Sequence, residues 1–254
     1  MGWYRRRRRR RLRRRPLPLA WRSIVERNVR LYPRLSPDDR RELEGHIQVF
    51  LAEKRFEGAG GLRITDEIRV TTAAHACLLL LHRTTDYFPG LRSIIVYPGD
   101  YVASRARRDT MGVVTEGWEA RRGESWSRGA IVLSWDSVRA AASDVSDCRN
   151  VVLHEFAHQL DGEDGAVDGA PRLPDRSRYV AWARVLGEEY DRLRRDSAIG
   201  RPTVLDRYGA TSPAEFFAVA TECFFARPKP LRARHPELYD ELKSYYRQDP
   251  AAFA

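Results

Sequence analysis

The chain has 254 residues, 43% of them hydrophobic and 31% charged, which suits a soluble globular fold with ample core and excludes fibrous and low-complexity classes. Its net charge of +10 resembles a nucleic-acid signal until it is located: Arg5 to Arg11 and Arg13 to Arg15 supply ten arginines, leaving 35 basic residues against 35 acidic ones. Three cysteines, Cys77, Cys148 and Cys223, lack CxxC spacing and read as small buried thiols in a reducing compartment, not as a disulfide framework.

Residues 1–15 contain no acid and are expected to form a disordered, Arg-rich tail, because like charges repel. Nothing there has the shape of a signal peptide. A single domain is expected over residues 16–254, with a first lobe to about residue 161 and a helical second lobe from about residue 175. Trp21, Ile24, Val25 and Val29 form one helical stripe that Pro33 closes. Ser36-Pro37 opens a second helix, buried through Leu43, Ile47, Phe50 and Leu51 and running to about Arg55. His46 lies near that face and reads as a hydrogen-bonded core histidine. Gly58 to Gly61 breaks the chain, Leu62 to Ile64 reads as a short strand or turn, and Thr65-Asp66-Glu67 starts a central helix through Ala73 to Leu81. That apolar stretch falls short of the ~20 residues of a membrane span.

Strands follow. Ser93 to Tyr97 lies between Pro89-Gly90 and Pro98-Gly99, Val113-Val114 suggests another, and Gly129 to Trp135 suggests a third. Within the third, Ala130 to Trp135 is either a sheet edge that aligns an extended peptide or an internal strand. Ser137 to Ala142 begins a helical turn, and Asp147 or Asn150 is the candidate cap for the next helix. That helix, Asn150 to Asp161, holds His154-Glu155-Phe156-Ala157-His158. Histidines four apart lie one turn apart on one helical face and can share a tetrahedral Zn²⁺. Glu155 is placed to act as general base on a water there. The apolar neighbours Val151, Val152, Leu153 and Leu160 bury the helix, and unpaired His and Glu would be costly in such surroundings. Asp161 is either a carboxylate that orients a ligand imidazole or a solvent-facing helix end. A Gly-rich loop then leads to helices at Tyr179 to Asp196, at Ala214 to Ala226, which Pro228-Lys229-Pro230 stops, and at Pro236 to Arg247.

A catalytic site needs a third protein ligand and an open position. Glu163, Asp164 and Asp168 lie in an acidic loop suited to the surface, and His235 lacks a matching partner. Glu215 is the stronger candidate, since it opens an almost wholly apolar helix after Ser212-Pro213. Glu222 shares its face at i, i+7. A buried carboxylate there needs a cation, which a metal or an arginine can supply.

The segments His154 to Asp161 and Tyr208 to Glu222 resemble the zinc peptidase family of Mlc titration factor A. So do Leu43 to Lys54 and Phe88 to Pro98, and the likeness covers roughly residues 20–245. More distantly, the paired Tyr-x6-Glu and HExxH segments are similar to the catalytic domain of anthrax lethal factor. The resemblance implies an α+β, zincin-like fold, mostly helical with a small mixed sheet and the HExxH sequence on its active-site helix. It implies one zinc per chain on His154, His158 and Glu215, with Glu155 as base and Tyr208 facing the substrate carbonyl. A cytoplasmic peptidase with aminopeptidase-like activity on peptide or protein substrates follows, with a transcription repressor as a partner. The alternative is a regulatory protein that sequesters such a repressor through a non-catalytic zinc site. The arginine tail stands outside that pattern. Nucleic acid is not expected as a partner except through the tail, since no aromatic platform or nucleic-acid module accompanies it.

Overall fold

A computed structural model describes residues 2–99, 101–108, 114–121, 123–126, 129–143 and 147–253. The first helix, α1 (Trp3–Arg13), occupies the segment expected to be disordered. Repulsion among its arginines is offset at one position. Arg9 turns inward, 5% exposed, and forks onto both Glu53 oxygens at 2.8 and 2.7 Å, with a third contact to Asp86 at 2.5 Å. Arg5 adds a bond to Glu53 at 2.9 Å, and Leu12 packs against the core. Close approach is possible because residue 45 is glycine: a Cβ there would lie 2.9 Å from the Arg13 carbonyl.

After α2 (Leu19–Asn28) comes α3 (Pro37–Glu53), which starts as the sequence predicts, with Ser36 Oγ accepting from the Asp39 amide at 3.1 Å. His46 on α3 is a core histidine, hydrogen-bonded to the Tyr87 hydroxyl at 2.8 Å and to Glu42 at 3.2 Å. The helix ends before Arg55, which instead opens β1 (Arg55–Gly58); Leu62 to Ile64 forms no strand. Thr65 caps α4 (Asp66–Leu78), buried over most of its length. The remaining strands are β2 (Ser93–Tyr97), β3 (Tyr101–Arg108), β4 (Val114–Arg121), β5 (Gly123–Trp126) and β6 (Ala130–Ser134). Val113 lies outside the described residues.

The sheet order is β1-β2-β6-β5, with β3 and β4 forming a separate antiparallel pair. Strand β6 is therefore internal and not an edge. Strands β1, β2 and β6 run parallel, with Phe56 opposite Ile94 and Ile94 opposite Ile131, while β5 runs antiparallel to β6. Such parallel strands need apolar cover, which explains the Ile94, Val96, Ile131 and Leu133 side chains with no exposure.

Next come α5 (Trp135–Ser143) and α6 (Val151–Asp161), then α7 (Arg176–Ala198), α8 (Pro213–Ala226), α9 (Pro228–Arg234), α10 (Pro236–Tyr246) and α11 (Pro250–Phe253). Pro228 and Pro230 do stop α8, but they also open α9, since proline costs nothing in a first turn whose amides have no partner anyway. Phe156 of α6 packs on Phe88 and Phe50 at ring distances of 4.7 and 5.6 Å, fixing α6 in the core between sheet and helices. Helix α8 lies against α6 and buries ten consecutive residues from Phe216 to Phe225.

Cys148 and Cys223 form a disulfide across this pair, against the expectation of separate thiols, and Cys77 alone is free and buried. Their 75-residue separation gives no signal of pairing. They meet only because α8 packs beside the segment that enters α6. Among the described residues no helix is long and apolar enough to cross a membrane.

Candidate metal centre

Helix α6 is held at its start by Asn150, not Asp147: the Asn150 side chain accepts from the Leu153 amide at 3.1 Å. One turn in, the His154 and His158 rings stand with centroids 4.9 Å apart. Their Nε2 atoms approach to 3.3 Å and both face Glu215 Oε2, at 2.9 Å from His154 and 3.3 Å from His158. Glu215 reaches them from the first turn of α8, where Ser212 Oγ accepts its amide at 3.2 Å. Three donor atoms on a common ion at bonds of about 2.0–2.2 Å and tetrahedral angles would be separated by ~3.3 Å. The observed edges fit that donor set, so the residues present suit a small divalent ion.

Electrostatics point the same way. Burial would push the His154 imidazole down, but hydrogen bonds to Glu215 and Glu222 outweigh it and hold the ring well above its ordinary value. Glu215 is opposed by burial and held well below the carboxylate range by His154 and His158. Two carboxylates thus gather positive charge between them, the role a metal cation fills. Glu155 differs. It is buried, its Oε2 has no hydrogen-bond partner among the described residues, and burial pushes its carboxyl up to about 7.

Glu222 supplies a contact whose function the sequence left open. Its Oε1 lies 2.7 Å from His154 Nδ1, and its other oxygen accepts the Asn150 amide. The His154 Nδ1–H therefore points at Glu222, so that a cation replacing the proton on Nε2 would meet the ring's lone pair on the side of Glu215 and His158. The i, i+7 spacing of Glu215 and Glu222 is the visible signal, because it puts both carboxylates on the α8 face that meets His154. Asp161 takes neither of its two expected roles. It is fully buried, and its two oxygens accept the Gly169 amide at 3.1 and 2.9 Å. Gly169 has φ +85°, and a Cβ there would strike the Pro213 carbonyl at 2.5 Å, so the loop it ends is pressed against the start of α8. Trp182 donates to the Gly169 carbonyl at 2.9 Å, closing the strap.

Tyr208 lies in a short 3₁₀ turn, Arg207–Ala210, with its ring 6.0 Å from that of His154 and 53% exposed. Asp206 fixes that turn, accepting the Tyr208 amide at 2.9 Å and pairing with Arg149 at 2.8 Å. The other ligand candidates lie elsewhere: His235 pairs with Glu189 at 2.7 Å, while Asp168 and Asp164 accept amides of their own loop. A second group, Asp39, Glu42 and His82, also brings one possible ligand atom from each residue within 4.8 Å of the others, with His82 exposed. His82 turns Nε2 to Asp39 at 3.1 Å and Nδ1 to Glu42 at 3.6 Å, so opposite ring nitrogens serve different carboxylates.

The family described as Glucose-regulated metallo-peptidase M90 matches residues 3–247. The chain belongs to that family. It is 41% identical to the uncharacterized protein slr2042 of Synechocystis over 237 residues, covering 93% of this chain and 86% of that protein. It is 32% identical to Mlc titration factor A of Pectobacterium atrosepticum over 235 residues, 91% and 87% of the two chains. Against Mlc titration factor A of Serratia proteamaculans it is 34% identical over 226 residues, 87% and 85%. Membership in a metallopeptidase family implies a metal, and the match from residue 3 includes α1 in the family's span, so the arginine segment does not stand outside it.

Proposed function

We propose that this chain is a zincin-like, zinc-dependent peptidase of the cytoplasm, with His154, His158 and Glu215 holding one zinc. The observation that carries the reading is the convergence of His154 Nε2, His158 Nε2 and Glu215 Oε2 within 3.3 Å of one another beside a buried Glu155. When bound, zinc supplies Lewis acidity, polarising a peptide carbonyl and making a water acidic near neutral pH.

The chain's own residues do the rest. Glu155, poised near 7 by burial, accepts the proton of the attacking water and delivers it to the leaving amine. Tyr208 offers its hydroxyl to the oxygen on which negative charge develops. Glu222 keeps the His154 ring in one tautomer and orientation. An extended substrate is aligned by adding to the sheet at β5. Because β6 lies between β2 and β5, the edge on this side among the described residues is β5. Short peptides with a free amino end are the expected substrates.

The relatives' name, titration factor for Mlc, supports a second reading in which the chain sequesters a regulatory protein and the metal only shapes the fold. A shape-holding metal has no use for an orphaned, buried carboxylate beside it, and Glu155 favours the peptidase. Metal analysis and hydrolysis of aminoacyl chromogenic peptides test the choice. The protein should carry about one zinc, and Glu155→Gln should retain it while hydrolysis falls by at least ~10². Equal turnover by the zinc-loaded Glu155→Gln protein would leave the binding role standing.

A further inference from the structure

We infer that the outward face of α1 is a docking surface for the phosphodiester backbone of nucleic acid. Ten arginines in a free tail would attract any polyanion loosely. Here the fork of Arg9 onto Glu53 and its contact with Asp86 fix the helix on the body, so the remaining arginines form an ordered array. Arg6, Arg7, Arg10, Arg11, Arg14 and Arg15 are exposed, and none pairs with a carboxylate among the described residues. Several arginines on α7 are instead neutralised, as Arg184 is by Glu237 at 2.7 Å and Arg192 by Glu189 at 3.4 Å.

At ~100° per residue, Arg6, Arg10, Arg14, Arg7 and Arg11 fall within an arc of about 140°, centred about 130° around the helix from Arg9. Trp3 and Tyr4 stand at the start of this face, 73% and 76% exposed, and Arg7 lies over the Trp3 ring at 5.4 Å. Guanidinium groups fork onto phosphate oxygens, and aromatic rings beside them offer bases a stacking surface.

The same face is poorly built for a membrane. An interfacial helix buries an apolar side among acyl chains, but the single aliphatic residue from 5 to 15, Leu12, packs against the protein core. A face made of one side-chain type also carries no sequence register, which suits a partner of uniform, repeating charge. Because its other side is packed on α3, α1 meets phosphates and sugars rather than base edges, and binding is sequence-independent.

The test uses the full chain and fluorescein-labelled 20-base-pair duplexes of two unrelated sequences, with a 20-nucleotide single strand alongside. Anisotropy at 50 mM salt should show similar binding to both duplexes, weakening on the order of 10³-fold by 200 mM. The triple variant Arg6→Gln, Arg10→Gln, Arg14→Gln should lose about tenfold or more in affinity and flatten the log–log salt slope by about 3. A matched triple on α7, Arg184→Gln, Arg192→Gln, Arg194→Gln, removes the same formal charge and should change affinity less than about twofold. Three results would overturn the inference: no binding to any nucleic-acid probe at 50 mM salt, equal losses in the two triples, or binding confined to phosphatidylserine-containing vesicles.

Discussion

Glu222 does two jobs at one point, receiving the His154 Nδ1–H and the amide of Asn150 at the head of α6. Replacing it with glutamine keeps the shape but weakens the charge-assisted bond and lowers the basicity of the imidazole. Glu222→Gln is expected to reduce zinc affinity by about 10–100-fold, read by competition with a chromogenic chelator, while circular dichroism stays unchanged. Unaltered affinity would make the contact a packing detail. Why the sequence leaves Glu222 undefined follows from its geometry. His154, Glu155 and His158 are legible together because one helix carries them and their spacing is local. Glu215 is legible because a carboxylate in an apolar helix needs a cation. The partner of Glu222 lies 68 positions away, and although the i, i+7 spacing puts Glu222 on the face of Glu215, it does not say which atom of α6 that carboxylate meets. Asp161 misleads for the same reason, since its acceptor role depends on a loop folding back to Gly169.

At the scale of elements, the helices with caps and stripes are readable: Ser36, Thr65 and Asn150 all cap where their side chains predict. Helix α1 is not, because repulsion within the segment is visible in the sequence and the placement of Glu53 and Asp86, on which it docks, is not. That docking has a pH signature. Burial would raise the Glu53 carboxyl, but the bonds from Arg9 and Arg5 prevail and hold it at about 2. A depressed carboxylate contributes stability that is complete above its unfolded value of about 4.5 and is lost as pH falls through about 2. Comparing wild type with Glu53→Gln isolates this contribution from that of other acids. The two should differ by about 2 kcal/mol in urea unfolding near pH 6, and the difference should close between pH 4.5 and 2. A gap constant across that range would mean that α1 is held by something other than its arginine forks.

Across the whole molecule, the site depends on two separately folded helices meeting, with β-strands and α4 beneath α6 and the aromatic residues of α8 and α10 behind. The Cys148–Cys223 disulfide joins them covalently at one end of that contact, next to Asn150 and Glu222. The strap from Asp161 through Gly169 to Pro213 joins them at the other. Closing a loop over 75 positions limits the unfolded chain, by roughly 4 kcal/mol in the chain-entropy view. Reduction should therefore lower Tm by on the order of 10 °C in a protein of this size. The strap and the three residues proposed to hold zinc remain after reduction, so metal content should hold at temperatures well below the new midpoint. The Cys148→Ser, Cys223→Ser double variant should melt like the reduced protein and be insensitive to dithiothreitol. If wild type melted identically with and without dithiothreitol while alkylation showed both thiols released, the packing of α6 on α8 would by itself account for the junction. A cytoplasmic setting favours the dithiol form. Alkylation in intact cells before lysis then reads both the compartment and the state in which the two helices are joined there.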